Sequence, residues 1–386
     1  MIKQSLIANW NYPTRIRVGA GRVNELAEVC HELGMTAPLL VTDPGLAGSL
    51  MVGQIIQDCQ SDGLQIGLFC QIKTNPTGEN VMDGVHAFKV GQHDGVIAFG
   101  GGSALDAAKA IALMVGQERS LWDFEDVGDN WTRVNVSTMA SVIAIPTTAG
   151  TGSEVGRASV ITDTQKQVKK IIFHPNMLPR MVILDPELTI GLPASLTAAT
   201  GMDALSHCLE AFCATYYHPM AESIALEGMR LIKDNLIKAY KDGSDLEART
   251  NMLVASAMGA TAFQRGLGGM HALAHPLGAI YDVHHGRLNA ILMPYVLSAN
   301  RSEIESKIER LANYLSIPNG FDGFGDWIEQ MRLELGIENT LNQLGIDHSQ
   351  IDRLAKMATE DAAAVSNPIL FTQDQYKNIL RKAIGE

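Results

Sequence analysis

The strongest constraint on this chain is an alternation that runs through its first half and then stops. Arg15 to Val18 reads as a strand that turns at Gly19-Ala20-Gly21. Val23, Leu26, Cys30 and Leu33 then recur at helical spacing, and Gly34 closes the helix as a C-cap. Further strands are expected at 38–43, 65–70, 95–99, 141–146 and 181–184, with a helix over 79–90. Strand–helix alternation implies parallel pairing with helical crossovers. After Asp185-Pro186 and Gly191-Leu192-Pro193, apolar strand-like runs become scarce. Helical patterns at 221–240, 245–264, 301–315 and 326–335 take over. The expected architecture is an α/β domain with a Rossmann-like parallel sheet over residues 1–192, followed by an all-α domain over 193–386. A length of 386 residues accommodates two such cores.

Composition narrows the partners. A formal charge of −12 argues against nucleic acid and anionic membranes, which attract basic surfaces. The five cysteines, Cys30, Cys59, Cys70, Cys208 and Cys213, form no CxxC pair and are odd in number, which favours a reduced, cytoplasmic setting. Cys208 sits beside His207 and is expected to be a buried, inert thiol. The stretch Leu6-Ile7-Ala8 is too short for a signal-peptide core, and no run approaches the length of a bilayer span. The chain is therefore expected to stay where it is made.

Two pairs of potential metal ligands stand out in the second half. Asp203 and His207 are four residues apart, which on a helix places both on one face, one turn apart. His271 and His275 repeat the spacing, and His284-His285-Gly286 follows shortly after. Imidazoles with one carboxylate suit a borderline divalent ion such as Fe²⁺ or Zn²⁺, whereas Ca²⁺ and Mg²⁺ prefer oxygen.

The first half carries two glycine-rich turns. Phe99-Gly100-Gly101-Gly102-Ser103 follows an expected strand and opens a helix that continues through Asp106 to Lys109. Adjacent glycines let the backbone approach a diphosphate at a helix N-terminus, although the spacing is not GxGxxG. Pro146-Thr147-Thr148-Ala149-Gly150-Thr151-Gly152 mixes glycines with small hydroxyl residues that can bond phosphate or ribose. Asp43, at the end of a strand, is either a helix cap or an acceptor for the ribose hydroxyls of NAD that repels the 2′-phosphate of NADP.

Taken in order, these motifs resemble the iron-containing (group III) alcohol dehydrogenases. The resemblance extends over almost the whole chain and includes Asn75-Pro76-Thr77, Asp185-Pro186-Glu187-Leu188 and the run from Gly266 to Pro294. It implies the dehydroquinate synthase-like fold, with metal ligands Asp203, His207, His271 and His285 and with His275 as a non-ligand histidine close to the nicotinamide. It also implies a diphosphate loop at Gly100, Gly101, Gly102, Ser103 and Asp106, with Thr147, Thr148 and Thr151 lining the cofactor and Asp43 favouring NAD(H) over NADP(H). A homodimer acting on a small alcohol or aldehyde is the implied assembly and partner.

The chain departs from that pattern in two places. His284 stands where relatives commonly carry proline, so either of two adjacent histidines is a possible ligand, with His285-Gly286 matching the family's His-Gly. Ala262 replaces an aromatic frequent in relatives, and Arg265 follows it. Arg265 is read either as an exposed surface arginine or as a recognition group for an anionic hydroxy acid or semialdehyde.

The expected chemistry is reversible hydride transfer between nicotinamide C4 and a primary alcohol or aldehyde. An imidazole one turn from His271 suits a proton relay, which makes His275 the candidate. Glycerol-dehydrogenase-like enzymes of the same superfold and a metal-dependent hydrolase are the competing readings. NADH titration separates the hydrolase from the rest.

Overall fold

The structure is a computed structural model that describes residues 13–166 and 168–386. The stretch Leu6-Ile7-Ala8 lies outside the described residues. The chain divides into two compact units, one ending at Gly191 and one beginning at Leu192.

The N-terminal unit is built on β1 (Arg15–Val18), β2 (Pro38–Val41), β3 (Gly67–Phe69), β4 (Gly95–Gly100), β5 (Ser141–Pro146), β6 (Ala158–Asp163), β7 (Val168–Phe173) and β8 (Met181–Leu184). Its helices are α1 (Leu26–Glu32), α2 (Pro44–Ala47), α3 (Leu50–Ser61), α4 (Gly78–Val90) and α5 (Gly102–Met114). Six strands form one sheet in the order β1-β8-β5-β4-β2-β3, every pair parallel. β2, β4 and β8 are buried along their whole length, as expected for strands covered on both faces. On one face Leu40, Ile97, Phe99, Ile143, Ile145 and Ile183 join a core with residues of α1 and α3, while α5 packs against β4 and β5.

The chain runs outward from β2 to β3, returns across β2 to β4, and then proceeds the other way to β5. The winding therefore reverses between β2 and β4. In open parallel sheets the carboxyl ends of the strands at such a reversal are where ligands bind. Gly100 of β4 pairs in register with Pro146 of β5, so both glycine-rich turns leave the sheet at the same level. Asp43 follows β2 immediately.

The expectation of parallel pairing missed one element. β6 and β7 form a separate antiparallel pair, with Ala158 opposite Phe173 and Asp163 opposite Val168.

The C-terminal unit holds α6 (Ala194–Cys213), α7 (Pro219–Lys241), α8 (Leu246–Ala262), α9 (Gly269–Tyr281), α10 (His285–Ala299), α11 (Arg301–Tyr314), α12 (Gly320–Glu334), α13 (Ile351–Glu360) and α14 (Gln373–Ile384). No strand occurs among its described residues. Every residue of α6 from Thr197 to Cys213 is buried, which marks it as a central helix rather than an amphipathic surface one. It packs against α7, α8 and α10.

Candidate metal centre and dinucleotide elements

Three helices of the C-terminal unit bring ligand-type side chains to one place. Asp203 and His207 project from α6, His271 from α9, and His285 opens α10. One ligand atom from each of Asp203, His207 and His271 lies within 4.8 Å of the others, and all three residues are buried. His285 Nε2 is 3.7 Å from Asp203 Oδ1. The rings of His207 and His271 stack at 4.8 Å, and those of His271 and His285 approach to 5.1 Å.

Glycines allow these approaches. A Cβ on Gly286 would collide with the Ala199 carbonyl of α6, so only glycine lets the start of α10 reach Asp203. A Cβ on Gly259 of α8 would lie 3.2 Å from that of His207.

Electrostatics prepare the cluster for a cation. Burial alone pushes the Asp203 carboxyl up, but His207, His285, His271 and the Asn289 amide outweigh it and hold the group at about 2. Burial, reinforced by His207, holds the His271 imidazole well below its usual range and therefore neutral, as a ligand must be. His207 Nδ1 is buried without a hydrogen-bond partner. One ionised carboxylate and two imidazoles that share a point, with the His285 imidazole 3.7 Å from the carboxylate, fit a borderline divalent ion.

Sequence reasoning passed over three residues here. Glu210, one turn beyond His207 on α6, accepts from His271 Nδ1 at 2.6 Å and from the backbone N–H groups of Gly268 at 2.7 Å and Met270 at 2.6 Å. With Nδ1 so engaged, His271 presents Nε2 to the cluster, the carboxylate–histidine arrangement common around protein-bound metals. Burial pushes the Glu210 carboxyl up to about 7, opposed by those backbone N–H groups. Asn289, one turn after His285, donates from Nδ2 to Asp203 Oδ1 at 2.9 Å. Asp361, which follows α13, meets His275 Nδ1 at 2.9 Å. The first two shared a helix face with predicted ligands and were legible by spacing. Asp361 had no such signal.

His275 is not in the ligand cluster but beside it. Its ring lies nearly parallel to that of His285 at 5.4 Å and edge-on to His271 at 5.9 Å. Between the two adjacent histidines, His285 approaches Asp203 whereas His284 is exposed at the N-cap of α10.

Both readings of Arg265 are overturned. The side chain is buried, and it donates from Nε to the Tyr216 carbonyl at 2.7 Å and from one terminal nitrogen to Ala211 at 3.1 Å and Phe212 at 2.7 Å. The same nitrogen pairs with Glu222 at 2.9 Å. Lys307 donates to the carbonyls of Phe212, Cys213 and Ala214. The two cations satisfy the carbonyls left open at the end of α6, where the helix dipole favours positive charge. Cys208 is buried in the same helix, and burial pushes its thiol up to about 12.

In the N-terminal unit, no side chain caps α5, which begins after Gly101, so its first N–H groups are open to an anion. Gly100 has a φ of +137°, a conformation few other residues adopt. Thr148 lies against Gly101, and a Cβ on Gly102 would come within 2.6 Å of Thr151. Thr147 is buried and donates its N–H to the Gly100 carbonyl at 3.0 Å. Ser103 donates its hydroxyl to the Thr74 carbonyl. Asp43 caps α2 through Oδ1, accepting from Gly45 at 2.9 Å and Leu46 at 3.1 Å. Its Oδ2 points towards Gly100, so the cap leaves one oxygen for a sugar hydroxyl.

Asp106 faces the protein. Its Oδ1 accepts from the Ser153 hydroxyl at 2.5 Å and its Oδ2 from the Val160 N–H at 2.9 Å. Beside it the buried Lys109 donates to the carbonyls of Ser153 at 2.9 Å and of Ala158. Asp106 and Lys109 thus brace the turn after β5 from beneath.

Residues 13–186 match the model of the iron-containing alcohol dehydrogenases, and residues 197–384 match that of the C-terminal part of the Fe-containing alcohol dehydrogenase family. The chain belongs to the iron-containing alcohol dehydrogenase family. It is 37% identical over 383 residues to the 4-hydroxybutyrate dehydrogenase of Cupriavidus necator, covering 97% of this chain and 99% of that protein. A crystal structure of 1,3-propanediol oxidoreductase superposes with a TM-score of 0.93 at 34% identity, covering 98% of this chain and all of that one. Sulfoacetaldehyde reductase from Bifidobacterium kashiwanohense, solved in complex with NAD⁺, superposes at 0.91 with 27% identity, covering 99% of this chain and 100% of that one. The chain is accordingly an oxidoreductase with metal-dependent alcohol dehydrogenase activity.

Proposed function

We propose that this protein transfers hydride reversibly between C4 of NAD(H) and a small primary alcohol or aldehyde, using one Fe²⁺ or Zn²⁺ ion held by Asp203, His207, His271 and His285. The observation that carries the reading is the meeting of an ionised buried carboxylate with three imidazoles from three helices. When bound, the ion supplies a Lewis acid for the alcohol or carbonyl oxygen. Glu210 fixes the His271 tautomer. Asp361 orients His275 through Nδ1 and leaves Nε2 to exchange a proton with substrate or water. The open N–H groups of α5 and the turn after β5 receive the diphosphate through Gly100, Gly101, Gly102 and Ser103, with Thr147, Thr148 and Thr151 alongside and Asp106 as their brace. Asp43 favours NAD(H) through the oxygen not used in capping.

Protein reconstituted with Fe²⁺ or Zn²⁺ is expected to oxidise NADH with short aldehydes, and His271→Ala to lose both metal content and turnover. Turnover retained by metal-free protein would overturn the proposal. An ω-hydroxy acid substrate loses its sequence argument, because Arg265 is engaged inside the helical unit. Its support is the likeness to 4-hydroxybutyrate dehydrogenase. Comparing kcat/KM for an aldehyde and its ω-carboxylated analogue decides between them.

We also propose a cytoplasmic homodimer. Four of the five thiols are buried and all five are unpaired, and no helix among the described residues is long and apolar enough to cross a membrane. The dimer rests on family resemblance and is tested by sedimentation.

A further inference from the structure

One neutral amide lies within 3.3 Å of three of the four proposed ligands. Asn289 Nδ2 lies 2.9 Å from Asp203 Oδ1, 3.2 Å from His285 Nε2 and 3.3 Å from His271 Nε2. Asn289 is fully buried, and its Oδ1 has no hydrogen-bond partner. A buried carbonyl left unsatisfied carries a cost, so the amide orientation is set by what the nitrogen does. Turning the amide over would place Oδ1 against the Asp203 carboxylate, so the N–H groups must face the cluster. His271 donates through Nδ1 to Glu210, and its Nε2 is therefore an acceptor.

An amide nitrogen has two hydrogens, and here it lies within hydrogen-bonding distance of three side chains. Those are three of the side chains that a cation held at this place would need. We propose that Asn289 is a positioning residue that stands in for the cation. It holds the Asp203, His271 and His285 side chains in place in the metal-free protein and gives up the two imidazoles when the ion arrives. The inference rests on the proposed metal site. Asn289 then stabilises the metal-free protein more than the loaded one, and removing it tightens metal binding while weakening the metal-free fold.

The test compares chelator-stripped and Zn²⁺-loaded protein by thermal unfolding, with Zn²⁺ affinity measured by competition with a chelating dye. In Asn289→Ala the metal-free Tm is expected to fall by roughly 3 °C or more, and the loaded Tm by less than half as much. The Zn²⁺ dissociation constant should tighten about fivefold, the equivalent of one hydrogen bond of ordinary strength. A metal-induced Tm increase equal to that of wild type would make Asn289 a packing residue and overturn the proposal. A smaller increase with weaker binding would make it a ligand, with the same consequence. Should stripped Asn289→Ala fail to fold, the milder Asn289→Ser is measured in its place, with the same outcomes deciding. No Zn²⁺-induced increase in wild type would instead remove the metal site itself.

Discussion

At the scale of single residues, the side chains around the proposed ligands matter as much as the ligands themselves. Glu210 gathers one imidazole N–H and two backbone N–H groups in a buried place. Glu210→Gln turns one acceptor oxygen into a donor facing another donor. Metal affinity is expected to fall by about 10–100-fold, read by chelator competition. His275 and Asp361 sit beside the proposed ligands and are expected to act differently. His275→Ala is expected to retain full metal content and lose roughly 10²-fold or more in kcat, with Asp361→Asn losing less because the ring remains. Metal analysis of both variants beside their kcat values checks this, and an unchanged kcat in His275→Ala would remove its role as a relay.

At the scale of elements, α6 depends on its far end. Arg265 and Lys307 satisfy its last carbonyls from other segments, and Arg265 also pairs with Glu222. Arg265→Ala removes the donor to the Tyr216, Ala211 and Phe212 carbonyls, while Lys307 stays at Phe212 and Arg310 stays at Glu222, and it should cost about 2 kcal/mol or more in denaturant unfolding. The relative kcat/KM of charged and uncharged aldehydes is expected to stay the same. Which elements could be read from the sequence follows from their chemistry. β2, β4, β5 and β8 are apolar along nearly their whole length and were evident. Asp203 and His207, and His271 and His275, stood out by i, i+4 spacing on helices whose neighbours are small. β6 and β7 were missed because their buried faces carry Ser159, Asp163 and Lys170 among the apolar residues, which erases the alternation expected of a strand. Arg265 was misread because nothing local says that its partners lie some fifty residues upstream. Asp361 is 86 residues from His275, a pairing that only the tertiary fold creates.

At the scale of the whole molecule, the buried Glu154 and Lys109 give stability a pH dependence. Burial pushes the Glu154 carboxyl up to about 7, against its own backbone N–H and Lys109, and burial likewise lowers Lys109 despite Asp106. Both shifts favour the neutral forms. An acid whose folded value exceeds its unfolded value of 4.5 keeps its proton longer when folded, so stability is fullest below that value and declines as pH rises through 7. Glu154→Gln should flatten this decline, recovering on the order of 1–3 kcal/mol at pH 8 relative to pH 5, as measured by unfolding midpoints across that range.

The same neighbourhood bears on how quickly the proposed dinucleotide site can be filled. Because Lys109 and Asp106 tie the turn after β5 to α5 through the protein's own carbonyls and hydroxyls, that segment surrenders its conformational entropy once, when the chain folds. At the proposed dinucleotide site an incoming carrier would meet a cradle already in shape with little loop ordering to drive, so its association is expected to be paced by encounter rather than rearrangement.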